Sequence, residues 1–86
     1  MTYTNNTPRG QVYVAIDTER DYQDTVWAGH KHEVAGYITM MTHYHQKLVE
    51  AWTVNAGDSA AMEVMRKIAG IAVHCMEVHG APHRQV

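Results

Sequence analysis

The stretch from Glu33 to Gly80, EVAGYITMMTHYHQKLVEAWTVNAGDSAAMEVMRKIAGIAVHCMEVHG, decides the fold. It divides into two helix-compatible runs, Glu33 to Asn55 and Ser59 to His79, around a break at Ala56-Gly57-Asp58. In the first run Val34, Tyr37, Ile38, Met41, Tyr44, Leu48, Ala51 and Trp52 recur at the spacing of a helix with one buried stripe. Gly57 suits the left-handed backbone position that closes a helix, and Asp58 suits the N-cap of the next. The break has room only for a tight turn, so residues 33–80 are predicted to form a long antiparallel helical hairpin.

The second run carries an unusual pattern. Glu63, Arg66, Lys67, Gly70, His74 and Glu77 form a single narrow stripe, and nearly every other position is apolar. The first helix is expected to cover Met62, Met65, Ala69, Ala72 and Met76. Val64, Ile71 and Val78 then need another cover, each worth roughly 1.5–3 kcal/mol if fully buried. The N-terminal segment and a second subunit together are expected to supply it, which implies a homo-oligomer. Gly80-Ala81-Pro82 should stop the helix, with a C-terminal glycine and a following proline.

Upstream the chain is harder to place. Residues 1–10, rich in Thr and Asn, read as a flexible tail, and 11–86 as a single helical domain. Gln11 to Ile16 alternates and is β-branched, so Val12 to Ile16 is a candidate short strand. Thr18-Glu19-Arg20-Asp21 resembles a helix start, with a hydroxyl cap and acids in the first turn. A short N-terminal helix from there to about Trp27, ended by Gly29, would place Tyr22 and Val26 on one face. Gly29-His30-Lys31-His32 is then a polar link. The fold class expected is mainly α, with no internal repeat, low-complexity tract or heptad run of coiled-coil length.

Composition narrows function. A chain of 86 residues is near the size at which one domain struggles to bury enough surface, and association is a common remedy. The one cysteine, Cys75, cannot form an internal disulfide and reads as a packed small hydrophobe in a reduced, intracellular setting. Met1 to Pro8 lacks the apolar core of a signal peptide. No apolar run approaches the ~20 residues that span a bilayer, so no membrane partner is expected. A net charge of −2 without a basic run argues against general nucleic-acid binding.

No catalytic signature is present, and no metal or cofactor is expected. His43 and His45, two apart on a helix, point to nearly opposite faces, and His74 and His79 diverge. Only His30 and His32 could converge, and a zinc site usually wants four ligands. Asp17, Glu19, Asp21 and Asp24 could line one side of a short helix near a Mg²⁺ ion, although a solvated helix start explains them as well. All-helical nucleotide pyrophosphohydrolases of the MazG type use such carboxylates. Their Glu-Glu-x-x-Glu and Glu-x-x-Asp stretches have no counterpart on the long helices, where Glu33, Glu50, Glu63 and Glu77 stand singly.

The candidate ligand-binding residues are Arg66, Lys67, Gly70, Tyr37 and Tyr44. Arg66 and Lys67 are the basic residues of a helix otherwise built for contacts, and symmetry would gather copies of them into an anion pocket. Gly70 would let a ligand or backbone approach closely. Tyr37 and Tyr44, with Trp27, Tyr22 and Trp52, supply stacking surfaces, although such residues are more often core.

The run Glu19-Arg20-Asp21-Tyr22-Gln23-Asp24 with Trp27, then Arg66-Lys67-Ile68-Ala69, then Cys75-Met76-Glu77-Val78-His79-Gly80-Ala81-Pro82, resembles short proteins of tailed bacteriophages. That family brings no catalytic residues. The oligomerising two-helix architecture is also similar to phage sponge proteins, which sequester the cyclic nucleotides of bacterial immune signalling. No ligand-binding motif of a sponge maps onto these positions. These resemblances imply a non-enzymatic phage accessory protein of the host cytoplasm that binds and sequesters a small (cyclic) nucleotide to counter host defence. The alternatives are a MazG-like pyrophosphohydrolase and a helical interaction protein that docks on a host protein.

Overall fold

Thr7 caps the first helix and Pro8 opens it, eleven residues before the cap expected at Thr18. The Thr7 Oγ1 accepts a hydrogen bond from the Gly10 N–H at 3.0 Å, and Pro8 stands where its missing N–H is not needed. The computed structural model describes residues 6–54 and 57–85. Among these residues the chain forms three helices, α1 (Pro8–Val26), α2 (Val34–Thr53) and α3 (Asp58–His79), and no strand. None of the helices is long and apolar enough to cross a membrane.

The candidate strand at Val12 to Ile16 is therefore not formed: those residues are turns of α1. So is the helix start at Thr18, whose hydroxyl donates to the Ala15 carbonyl within the same helix. The tail expected over residues 1–10 shortens, because Pro8 to Gly10 are helical; residues 1–5 lie outside those described. β-Branched residues lower helix propensity by only a few tenths of a kcal/mol each. A cap, an N1 proline and a packing partner outweigh that.

α1 ends at Trp27, whose N–H reaches the Gln23 carbonyl, and Ala28 and Gly29 then turn the chain with positive φ of 52° and 68°. α2 and α3 run in opposite directions. His32 lies beside His79 at one end, Tyr37 beside His74 further in, and Trp52 beside Asp58 at the other end. Gly57 occupies the N-cap of α3 with φ of 85°, and Asp58, expected as that cap, is instead the first helical residue. The break residue Ala56 and the expected α2 terminus Asn55 lie outside the described residues. Gly80 ends α3 as expected, with φ of 113° and its N–H on the Met76 carbonyl.

α3 is the middle element, since both α1 and α2 pack on it. Tyr37 and Ile71 are fully enclosed, and Ala51 and Ala61 are buried. Ile71, expected to await a second subunit in part, is covered within the chain. Met62, Met65 and Met76, assigned to the first helix, are instead 55, 44 and 43% exposed. The physical reason lies in the polar stripe of α3: it has polar partners on α1, and docking them turns the methionines outward.

Candidate functional site

The stripe of α3 and the acidic end of α1 form one interlocked polar contact. Glu19, Arg20 and Gln23 are 5, 7 and 2% exposed, although all three are polar. Each helix lends an arginine to the other's glutamate. Arg20 Nε donates to Glu77 Oε1 at 2.9 Å, while its second nitrogen holds Asp24 at 2.8 Å. Arg66 Nε donates to Glu19 Oε1 at 2.8 Å, and its Nη2 lies 2.7 Å from Glu63. Gln23 Nε2 bridges the helices, donating to Glu19 Oε2 at 3.0 Å and to the Lys67 carbonyl at 3.1 Å.

The electrostatics follow from these contacts. The hydrogen bond Arg66 donates to Glu63, then the one it donates to Glu19, holds the Arg66 pKa above its ordinary value, while the same arginine lowers that of Glu63. For Arg20, burial opposes the charge, and the bonds and attraction of Asp24 and Glu77 outweigh it, so its pKa is raised. Among the described residues no buried side-chain nitrogen or oxygen lacks a partner. A buried network with every group satisfied is tolerable, whereas a half-satisfied one is destabilising.

Gly70 lies directly beneath this network. A Cβ there would stand 2.7 Å from Gln23 Nε2 and 2.9 Å from Glu19 Cγ. The glycine thus admits α1, not a ligand, to the surface of α3.

Tyr37 belongs to a second cluster. Its ring meets those of His74, His32 and His79 edge-on, at centroid distances of 5.2, 5.4 and 5.9 Å. Its hydroxyl lies 3.4 Å from the His74 ring nitrogens and accepts from the His32 N–H at the same distance. His74 is 6% exposed. Burial, then repulsion from Arg20, lowers its pKa, against the pull of Asp24 and Glu77.

The open surface lies on the other side of Lys67. A cleft of about 360 Å³ between Thr18, Tyr22, Glu63, Arg66 and Lys67 continues into a smaller one lined by Tyr22, Val26, Trp27, Tyr44 and Lys67. Trp27 and Tyr44 also border a third hollow of about 430 Å³, with His30, His32 and Met40 on its far side. The three adjoin as one groove along shared residues, Tyr22 and Lys67 between the first two and Trp27 and Tyr44 between the last two, with Arg66 toward one end and the histidines of the α1–α2 link at the other. Lys67 makes no ion pair among the described residues, unlike Arg66 beside it. The groove therefore offers an ammonium that makes no salt bridge but attracts the Glu63 carboxylate, a partly committed guanidinium and three aromatic rings.

Of the residues picked out in the sequence, Arg66, Lys67 and Tyr44 share this groove, whereas Gly70 lies under α1 and Tyr37 is enclosed on another face. Tyr22 and Trp27 were named only as stacking surfaces. Their spacing from Glu19 and Gln23 on one helix was the available signal. The acids that could have lined a Mg²⁺ site are otherwise placed: Glu19 and Asp24 are held by arginines, and no three His, Cys, Asp or Glu among the described residues gather as a metal-binding group. No protein-family model matches the chain, and no curated protein or solved structure matches it.

Proposed function

We propose that this chain is a non-enzymatic accessory protein of a tailed bacteriophage, acting in the host cytoplasm as a homo-oligomer. It binds a small nucleotide, linear or cyclic, and so withholds a host defence signal. One observation carries the reading: Lys67, free of ion pairs among the described residues, shares a groove with Tyr22, Trp27 and Tyr44. A phosphate on the ammonium and a base on an aromatic ring are the complementary contacts, and base stacking contributes roughly 1–3 kcal/mol. Arg66 supports the phosphate end without being free to serve it alone, since Glu19 and Glu63 already occupy it.

Thermal shift against linear and cyclic di- and trinucleotides tests this. A binder raises the melting temperature of the wild type and is recovered unaltered. Lys67→Ala lowers its affinity by about 10–100-fold, the equivalent of a charged hydrogen bond. Tyr44→Ala does the same through stacking, while the helix content of both variants is retained. Hydrolysis of a nucleotide with Mg²⁺ would replace the proposal with a MazG-like pyrophosphohydrolase. Absence of any shift would leave docking on a host protein as the better account.

A further inference from the structure

α2 presents two apolar faces, and only one of them is used. Tyr37 and Ala51 are buried on the side toward α3. A quarter-turn away, Val34, Ile38 and Trp52 are 45, 53 and 60% exposed. Met41 and Leu48 complete the same line half-buried, and His45 is exposed between them. The order Val34, Ile38, Met41, His45, Leu48, Trp52 steps by 4, 3, 4, 3 and 4 residues, the spacing that lets side chains of one helix enter the gaps of another. The line is about 27 Å long at the helical rise. Two free helices with so short a seam would be marginal, because each must first become helical. Here α3 already holds α2 in shape.

We propose that this seam is a self-association surface, and that its occupant is α2 of a second copy in antiparallel register. This deepens the assembly part of the functional proposal and is independent of any ligand. The register follows from the side chains. An antiparallel pair centred on residue 43 places Val34 opposite Trp52, Ile38 opposite Leu48, and Met41 opposite His45 of the other copy. The smallest side chain of the line thus meets the largest, and each histidine meets a methionine. A parallel pair would instead put Trp52 on Trp52 and His45 on His45. Charge points the same way. The seam residues include no Asp, Glu, Lys or Arg, a carboxylate meeting the line only at its end, where Asp58 accepts from Trp52 Nε1 at 3.3 Å, and the solvent-side flank, Ala35, Thr42 and Val49, is small or uncharged. Two identical surfaces repeat the same charges, so an uncharged surface is the kind that can meet itself without repulsion.

Sedimentation velocity on the full chain at tens of micromolar tests the surface. The wild type sediments as a dimer or a higher even-numbered species. Ile38→Glu places a charge on an already exposed position and weakens association by more than about 100-fold, with unchanged helix content. Val34→Glu, in the first turn of α2, repeats the measurement should Ile38→Glu unfold. The register is read in a Cys75→Ala background. Mixed Ile38→Cys and Leu48→Cys chains cross-link to each other on oxidation, and neither cross-links to itself. A monomeric wild type overturns the proposal, as does an Ile38→Glu or Val34→Glu chain that still associates. Self-cross-linking of Ile38→Cys overturns the antiparallel register. No nucleotide enters these measurements, so their failure leaves the groove proposal standing, and the reverse holds.

Discussion

Replacing Gly70 with alanine sets two physical effects against each other, and the structure says which wins. Alanine in a helix interior is favoured over glycine by about 1 kcal/mol, so a helix that nothing covered at this point would be stabilised. In the folded protein the new Cβ would stand 2.7 Å from Gln23 Nε2, 2.9 Å from Glu19 Cγ and 3.0 Å from Gln23 Cδ. Both residues are nearly fully buried, so neither side chain has room to swing aside. Overpacking of this kind costs about 1–3 kcal/mol. Displacing Gln23 also weakens its bond to the Lys67 carbonyl, about 1 kcal/mol, and its charged bond to Glu19, about 1.5–3 kcal/mol. Less the propensity gain, the expected loss is about 2.5 kcal/mol at the low ends of these figures and about 6 kcal/mol if both bonds are lost outright. For a domain of this size even the low end lowers Tm by about 10–20 °C. Urea and thermal melts followed by far-UV circular dichroism give the number. Adding Gln23→Ala to Gly70→Ala removes one of the two obstructing side chains, so the pair should be less destabilised than the sum of the singles. A Gly70→Ala chain as stable as the wild type, or more so, would refute the docking of α1 on α3.

Two further measurements address the polar contact and its neighbour. Arg66→Met strands the buried Glu19 carboxylate, whose side chain is 4% exposed, and should cost about 2–3 kcal/mol, less than a fully buried pair because Arg66 itself is a third exposed. Glu63→Gln, which removes the other partner of the same arginine at an open position, should barely move the urea midpoint; equal losses would show that the cross-helix pair has no special weight. His74 has a folded pKa below its ordinary 6.5, so below that pH the unfolded chain takes up the proton more readily. Its contribution to stability is present above pH 6.5 and is lost as pH falls from there toward the folded pKa. The urea midpoint of wild type should drop between about pH 7.5 and 5.5 by more than that of His74→Gln; parallel curves would overturn the assignment.

How much of this was legible beforehand differs along the chain. α2 and α3 could be read because their apolar residues recur at helical spacing and Gly57 and Gly80 interrupt it. α1 hid for a definite reason. The side chains it buries, Glu19, Arg20 and Gln23, are polar, and of its apolar residues only Ile16 is half-buried while Val12, Tyr13, Val14, Tyr22 and Val26 are exposed, so its packed face shows no periodicity to a hydrophobic reading. Val-Tyr-Val-Ala-Ile then looks like a strand, although Thr7-Pro8 already marked a helix start.

The polar stripe on α3 was visible in the sequence, but its meaning was not. Lone spacing cannot distinguish a stripe that faces water or a phosphate from one that faces a complementary helix. Arg66 and Gly70 were selected as ligand contacts, and the tertiary structure spends them on α1; Tyr37 is enclosed by histidines that arrive from the α1–α2 link and from α3. What the sequence by itself determined is the mainly helical class and the two long helices with the glycines that interrupt them, because propensity, capping and period act over a few neighbouring residues. Only the tertiary structure decided which face of each helix is inside, because that choice balances polar partners up to fifty-seven positions apart, as Arg20 and Glu77 are.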